Sequence, residues 1–481
     1  MERSESPSHE QRAGWLGRSV RNFSALSAAE AVKVGLNTVA TVYLARVLRA
    51  EAFGIFGFAL AALACLTAVV DGGFTVLGTR DVARDRSAVR ALVSAIVSIR
   101  LVLAAAAFVL LLGFIAGTDL QPVVRRALLW SSLSVISTAF LLDWVFYGLG
   151  EVRAISAAAV MKAAVFLGIV LLAVHEPSDV WAAVVAQVIG ELVAAGWLWA
   201  VYVRRFGSVA RSVDWGAWFH RWRQALPISV GQILRAVNYW FGIIVIGLWL
   251  DPAAVGQYTS AQKLMLFLLG FASLYFLTYL PLIAGALQRD PGEVGQIISK
   301  SFSLTVSLTL PIAFGGTVLA DEIVRFIYGP DYAASTLPFR ILIWVLPLVI
   351  ASAHFRNTVL AANLQRVDLG CVILSAVANV VANLALVPTF GAVGAAIAMT
   401  ISEATLLVAE YVVVRRRIAR PSIAARLPGP LAAATLMALA VWWARPMGLP
   451  AALGIGILLY FSLMCLFGAL RPADVIKLFR A

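Results

Sequence analysis

Six basic residues inside long apolar stretches of the sequence are candidates for a function, because a charge there needs a partner or a ligand. They are Lys33, Arg100, Lys162, Arg235, Lys263 and Arg356. A charged side chain at the centre of a bilayer costs about 2.5–3.5 kcal/mol on insertion scales, so such groups usually face a cavity or a counter-ion. Because guanidinium and ammonium groups are the usual partners of phosphate, these six residues are predicted to bind an anionic ligand. Structural ion pairs, and side chains that reach toward the interface, are the alternative interpretation.

The stretches that carry these residues are predicted to be transmembrane helices. Hydrophobic residues make up 61% of the 481 residues and charged residues only 13%. The apolar blocks are long enough to cross a bilayer, and a spanning segment must satisfy its own backbone hydrogen bonds, as a helix does. The predicted fold is an all-α polytopic membrane protein with about fourteen transmembrane helices. The predicted spans are 20–46, 51–73, 91–117, 121–148, 153–175, 179–203, 225–250, 253–284, 293–319, 336–361, 366–388, 391–414, 427–445 and 449–470.

The distribution of positive charge predicts the orientation of these spans. With the N-terminus in the cytoplasm, about 25 of the 38 Lys and Arg residues fall on the cytoplasmic side and about seven outside. Both termini are therefore predicted to be cytoplasmic. The polar segment 1–17 gives no sign of a cleavable signal peptide. Because membrane topology accounts for the net charge of +13, no nucleic-acid partner is predicted.

An internal repeat relates the two halves of the chain. A shift of 202 residues places spans 1–2 on spans 7–8, so that Glu30 and Lys33 fall on Gln232 and Arg235. Glu30 and Lys33 are one helical turn apart and could neutralise each other, whereas Arg235 is predicted to lack such a partner. Six spans per repeat is an even number, which predicts two pseudo-twofold-related six-helix bundles with a substrate site at their interface.

The repeat defines the predicted domain organisation. A cytoplasmic tail (1–19) precedes the first six-helix bundle (20–205), an amphipathic cytoplasmic linker (206–224) and the second bundle (225–418). Transmembrane helices 13 and 14 and a cytoplasmic tail (419–481) follow. The linker contains Trp215, Trp218, Phe219 and Trp222, whose spacing predicts an apolar stripe on a helix lying in the membrane interface.

Sequence motifs for nucleotide, zinc and serine-hydrolase chemistry are absent from the sequence. The adjacent acids Asp321 and Glu322, in a predicted outside loop, are the best candidates for the acidic pair of a membrane glycosyltransferase. We predict that the protein is not an enzyme and has no catalytic residue, metal ligand or cofactor.

Three loose motifs occur in a fixed order along the chain. They are LARVLRAEAFG at 44–54, IVRFIYGPDY at 323–332, and NVVANLALVP followed by GAVGAA within 379–396. Together they resemble the polysaccharide (O-antigen-type) flippases of the multidrug/oligosaccharidyl-lipid/polysaccharide exporter superfamily. The sequence departs from that pattern at Arg49 and Ala50, where Gly-Pro is typical.

The resemblance implies a V-shaped pair of six-helix bundles in the cytoplasmic membrane. It also implies translocation of undecaprenyl-pyrophosphate-linked oligosaccharide repeat units to the outer leaflet for surface polysaccharide biosynthesis. The pyrophosphate would suit the predicted basic lining, with Lys33 and Arg235 in symmetric positions. Ion gradients or the membrane potential would drive transport, with Asp71, Glu191 and Glu403 as ion-coupling candidates. Membrane lipids, and polysaccharide polymerase or assembly proteins, are the expected partners.

Several alternative functions fit the same sequence features. A peptidoglycan lipid II flippase would have a similar number of spans and a basic cavity. A multidrug/cation antiporter would usually have twelve spans and need an acidic cavity. From other classes, a membrane glycosyltransferase would use an outside acidic pair, and a scaffold for polysaccharide assembly would tolerate neutralisation of the buried cations.

Overall fold

Every regular element in the described part of the chain is a helix. The computed structural model describes residues 9–208, 215–289 and 291–467. The α-helices are α1 (His9–Asp71), α2 (Phe74–Arg84), α3 (Val89–Gly117), α4 (Pro122–Ser131), α5 (Leu133–Ala139), α6 (Asp143–Leu149), α7 (Val152–Ala173), α8 (Val180–Phe206), α9 (Trp215–Trp249), α10 (Pro252–Arg289), α11 (Pro291–Val318), α12 (Ala320–Tyr328), α13 (Thr336–Leu342), α14 (Val345–Ala361), α15 (Gln365–Arg417), α16 (Pro428–Ala444) and α17 (Leu449–Leu466).

Two very long helices each contain a pair of predicted spans joined by a sharp bend. Helix α1 bends at Arg49, whose φ and ψ are 56° and −178°. Helix α15 bends at Gly391, with φ and ψ of 57° and −132°. Glycine adopts positive φ readily because it has no Cβ, whereas an arginine in this region is strained. Both bends fall at or beside the predicted connections between spans, but the helices continue on each side without an intervening loop.

Two spans that were predicted as continuous helices are broken. The predicted span 121–148 consists of α4, α5 and α6. The Ser131 and Ser132 hydroxyls donate to carbonyls three residues earlier, a local bonding pattern that competes with the regular helix. The predicted span 336–361 consists of α13 and α14, and it breaks at 343–344. Pro347 has no N–H to donate to the carbonyl of Ile343, which favours a break there.

Ten segments within the described ranges are long and apolar enough to cross a membrane. Two of them, 28–84 and 365–417, each overlap two predicted spans. An all-helical, multi-pass membrane fold is thus confirmed, while the count of fourteen stays a prediction. The predicted linker helix is not separate from span 7, because α9 runs unbroken from Trp215 to Trp249. Within its Trp/Phe stripe, the rings of Phe219 and Trp222 lie 5.9 Å apart, whereas the side chains of Trp215 and Trp218 lie outside the described residues.

The chain forms two compact units. The N-terminal unit contains residues 1–47 and 62–233, and the C-terminal unit contains 48–61 and 234–481. In the N-terminal unit the core surrounds Trp144, and Gly78 lies so close that a Cβ there would be 2.4 Å from the indole. In the C-terminal unit α16 and α17 pack on α11, where Tyr460 donates to the Ser307 carbonyl at 2.5 Å. Small residues allow such close approach between membrane helices.

A reciprocal contact within the C-terminal unit matches the 202-residue repeat. A Cβ added to Gly54 would lie 1.8 Å from the carbonyl oxygen of Pro252, and one added to Gly256 would lie 1.8 Å from that of Ala50. Gly54 and Gly256 are related by the shift, and so are Ala50 and Pro252. Equivalent residues therefore make equivalent contacts, as expected of a local twofold arrangement.

Candidate functional site

Arg100 forms the centre of a buried polar cluster in the N-terminal unit. It is 1% exposed, and its guanidinium forms an ion pair with Asp71. It also donates to the Thr75 hydroxyl and to the Leu141 carbonyl, both at 2.9 Å. Asp143 is close enough to interact electrostatically with Arg100 and Asp71. The structure thus brings together a predicted ligand-binding residue and a predicted ion-coupling residue, and their contacts favour a structural role for Arg100.

A second ion pair in the N-terminal unit joins α7 to α8. The Lys162 ammonium lies 3.0 Å from a carboxylate oxygen of Glu191. Gln187 donates to the same carboxylate at 3.0 Å, and Ser137 on α5 donates to it at 3.3 Å. Lys162 remains 37% exposed, so its ammonium can reach other groups as well. The predicted binding residue and the predicted coupling residue are here direct partners.

Lys33 forms the one-turn pair that its spacing predicts. Its ammonium lies 2.5 Å from a carboxylate oxygen of Glu30, and about a third of each side chain is exposed. This pair on α1 belongs to the N-terminal unit. The prediction of mutual neutralisation is confirmed, and the remaining donor capacity of the ammonium is open to a ligand.

Arg235 and Arg356 lie close together in the C-terminal unit. The Nε atom of Arg356, on α14, donates to Asp368 at the start of α15 at 3.0 Å. Arg235, on α9, is close enough to interact electrostatically with both residues. None of the ion pairs within 4 Å that the described residues show includes Arg235, in agreement with its predicted lack of a local acid. Two guanidinium groups therefore share one neighbourhood with the carboxylate of Asp368.

Two buried glutamates on α15 extend this cluster. Glu403 is 3% exposed and Glu410 has no exposed surface. Both are close enough to Arg356 to interact with its charge. They are seven residues apart, which places them on the same face of the helix. Glu403 was predicted from the sequence as a coupling candidate, whereas Asp368 and Glu410 were not.

Lys263 has an aromatic rather than an acidic neighbour. Its ammonium lies 5.8 Å from the centroid of the Trp240 ring, within the range of a cation–π interaction. The side chain is half-buried on α10. None of the ion pairs among the described residues includes Lys263, which leaves its ammonium group available to an anion.

Buried asparagines account for one of the sequence motifs. Asn383 donates to Asn379 at 3.0 Å, Asn379 donates to the Asn238 carbonyl at 3.2 Å, and Asn238 donates to Ser375 at 3.0 Å. These bonds tie α15 to α9 within the C-terminal unit. The motif NVVAN is therefore a packing element, because hydrogen bonds between side chains stabilise contacts between membrane helices.

The acidic pair Asp321–Glu322 is occupied by internal partners. Asp321 pairs with Arg325 at 3.0 Å, and Glu322 pairs with Arg445 at 2.6 Å. The two carboxylates thus bind different arginines on α12 and at the end of α16. This arrangement favours a structural role for the pair and weakens the glycosyltransferase alternative.

An apolar cavity lies among α10–α13, α16 and α17 in the C-terminal unit. Its volume is about 450 Å³. Leu264, Pro311, Ile343, Met437 and Tyr460 are among the residues that line it. A cavity of this size and lining suits hydrocarbon better than a polar ligand.

The known proteins similar to this chain in sequence include a flippase and a transporter of glycans. The probable low-salt glycan biosynthesis flippase Agl15 of Haloferax volcanii is 26% identical over 177 residues, which is 36% of this chain and 37% of the relative. This match therefore spans little more than a third of the archaeal protein. The putative O-antigen transporter of Escherichia coli strain K12 is 24% identical over 75% of this chain and 88% of its own length.

The fold is similar to that of a solved transporter. The lipid II flippase MurJ, in an inward closed conformation, superposes with a TM-score of 0.75 at 13% sequence identity. The match covers 94% of this chain and 99% of MurJ. At this identity the likeness concerns the fold alone. The family model for polysaccharide biosynthesis proteins matches residues 19–287, more than half of the sequence. The chain therefore belongs to the polysaccharide biosynthesis protein family.

Proposed function

We propose that the protein is a flippase that moves lipid-linked oligosaccharide across the cytoplasmic membrane by alternating access. The substrate class is an undecaprenyl-pyrophosphate-linked repeat unit of a surface polysaccharide. Family membership and the similarity to the O-antigen transporter support transport of a lipid-linked glycan. The choice of substrate rests on the basic side chains inside the membrane-spanning helices. These side chains suit the pyrophosphate headgroup of the proposed substrate, because that headgroup is an anion.

Lys33, Arg235 and Lys263 are proposed to contact the pyrophosphate. Lys33 has one acidic partner and remains partly exposed, and Lys263 faces a tryptophan ring. Lys162 is proposed as an accessory contact, because Glu191 already neutralises it. Arg100 and Arg356 are proposed to act through the acids that they hold, namely Asp71 and Asp368. Asp71, Glu191 and Glu403 remain the proposed ion-coupling residues.

The lipid tail of the substrate is proposed to enter the apolar cavity. Its lining of aliphatic and aromatic side chains matches an isoprenoid chain, and burial of a hydrocarbon tail there needs no polar partner. Both chain termini are proposed to face the cytoplasm, on the basis of the lysine and arginine distribution. Polysaccharide polymerase or assembly proteins are proposed as partners.

The test is translocation of a labelled polyprenyl-pyrophosphate sugar in proteoliposomes. We expect the wild type to move the label between leaflets and Lys33→Ala/Arg235→Ala to lose at least tenfold in rate, because the pyrophosphate loses two cations. Arg325→Ala is the matched control: it removes an exposed cation whose partner is the nearby Asp321, and its rate should equal that of the wild type.

The other outcomes separate the alternatives. If the double variant folds and translocates normally, the site assignment is wrong while the flippase function stands. If lipid II is moved and the polyprenyl-pyrophosphate oligosaccharide is not, the peptidoglycan function replaces the proposed one. If no lipid-linked sugar moves but a cationic drug exchanges for ions, the protein is an antiporter.

A further inference from the structure

Glu410 on α15 is an acidic side chain that the proposed substrate contacts do not use. It has no exposed surface, and neither of its carboxylate oxygens has a hydrogen-bond partner. An ionised carboxylate in this position would lack both water and donors. Burial under these conditions strongly disfavours the charged form, so the group requires a bound proton or cation.

The charged neighbours of Glu410 donate no hydrogen bond to its carboxylate oxygens. Arg356 on α14, and Asp368 and Glu403 on α15, are close enough to act on it electrostatically. The Cys371 thiol lies within range of Glu410 and Asp368. Helices α10 and α13 also pack against α15, but none of the charged groups that act on Glu410 comes from their described residues.

The cluster carries more negative than positive charge. Arg356 already donates its Nε to Asp368 at 3.0 Å. Arg235 is the second cation within range of Arg356 and Asp368. Asp368, Glu403 and Glu410 thus share two guanidinium groups, which leaves one negative charge without a counterpart. A proton fits this excess better than a metal ion, because a hard cation needs several converging oxygen ligands whereas a proton needs a single oxygen.

We propose that Glu410 is a proton-binding site in the C-terminal unit and that Arg356 changes its acidic partner when the proton leaves. With the proton on a carboxylate oxygen of Glu410, Arg356 pairs with Asp368. When that proton passes to water, the new carboxylate becomes a competing partner for the same guanidinium. Since Arg235 lies within range of Arg356 and Asp368, the exchange alters the charge that Arg235 experiences. Proton coupling of transport through this site rests on the proposed function.

The proton itself can be observed without a transport assay. The full-length protein in lipid at neutral pH should give the infrared carbonyl band of a protonated carboxylic acid. Glu410→Gln should lose the part of this band that Glu410 contributes, seen as a wild-type-minus-variant difference. The isosteric amide should leave the fold intact because it mimics the neutral acid. Glu322→Gln is the control, since its carboxylate is paired with Arg445; this variant should keep the band. Absence of the band in the wild type, or a band of undiminished intensity in Glu410→Gln, overturns the proposal.

Coupling is measured as a ratio of translocation rates in proteoliposomes with and without a pH gradient. The wild type should respond to the gradient, whereas Glu410→Gln should give equal rates in both conditions. An unchanged gradient response in Glu410→Gln would reject coupling through this residue. If the wild type moves no lipid-linked sugar, the proposed function fails, while the infrared result still decides whether Glu410 binds a proton.

Discussion

Arg100 and Lys33 show how differently two membrane-buried cations can be held. Arg100 is enclosed by a carboxylate, a hydroxyl and a backbone carbonyl, so a ligand would compete with these partners for the guanidinium. Lys33 contacts one glutamate and stays partly exposed. Residue type alone does not distinguish the two, because the partners of Arg100 lie 25 to 41 residues away in the sequence. The number of partners, rather than depth in the apolar stretch, separates structural cations from candidate ligand contacts.

Arg49 has a backbone conformation that is unusual for a residue with a Cβ. Its φ and ψ of 56° and −178° belong to a region that is essentially restricted to glycine, where a non-glycine residue costs about 1–3 kcal/mol. Its ion pair with Asp331, at 3.9 Å between two exposed side chains, contributes little. We expect Arg49→Gly to raise the free energy of unfolding by about 1 kcal/mol, since relief of strain exceeds the added entropy of the unfolded chain.

Thermal unfolding in detergent, followed by tryptophan fluorescence, measures this effect. Arg49→Ala is the matched control, because it removes the same ion pair but keeps the Cβ that causes the strain. Equal melting temperatures for the glycine and alanine variants would show that the bend is not strained.

At the scale of the helices, the crossing of α1 and α10 depends on two glycines, Gly54 and Gly256. A Cβ at Gly54 or Gly256 would meet a backbone oxygen at 1.8 Å, and backbone cannot move aside as a flexible side chain can. We expect Gly54→Ala or Gly256→Ala to destabilise the protein by about 1–3 kcal/mol or more through overpacking. The yield of monodisperse protein and its melting temperature are the measurements.

Gly113→Ala on α3 provides the comparison for the crossing. It lies inside a helix, and a Cβ there would have nothing within 4 Å, so alanine should be neutral or slightly stabilising. If Gly54→Ala behaves like Gly113→Ala, the crossing is looser than the structure indicates.

The elements were largely predictable from hydropathy, and the site was only partly so. Helix α3 begins within two residues of its predicted start, because a long apolar block has few alternatives in a membrane. Hydropathy did not indicate the breaks within 121–148 and 336–361, since it registers neither local serine bonding nor the missing N–H of Pro347. Glu410 was missed as well; its seven-residue spacing from Glu403 on an apolar helix was the available signal.

The pairing of charges could not be derived from one sequence. Lys162 and Glu191 are 29 residues apart on antiparallel neighbours, and their contact depends on how α7 and α8 are rotated about their axes. Hydropathy fixes the length of a membrane helix but not its rotation, which packing determines. The same reason explains why Arg356 and Asp368 were not recognised as partners.

At the scale of the whole molecule, the distribution of basic residues predicts an orientation that can be tested directly. Arg417, at the end of α15, and Arg325, on α12, are both exposed and fall on opposite predicted sides. In a background without Cys65, Cys371 and Cys465, Arg325→Cys should react with a membrane-impermeant maleimide in intact cells. Arg417→Cys should react only after the cytoplasmic side is opened, because basic loops are retained there.

The reverse labelling pattern would invert the proposed topology. It would place the Arg415–Arg417 run outside the cell, and the proposed cytoplasmic termini would then be wrong. Labelling of both positions in intact cells would instead indicate leaky membranes, which an impermeant-dye control detects.

The reciprocal contact at Gly54 and Gly256 bears on how this chain originated. Each glycine touches the residue equivalent to the one that its counterpart touches, which is the pattern of an isologous interface between identical subunits. A half-length ancestor with this turn could have formed the same contact as a homodimer in the membrane, before duplication joined the two copies. The contact would then be older than the single chain. Because the contact uses the backbone oxygens of Ala50 and Pro252 rather than their side chains, the two residue types can differ without disturbing it.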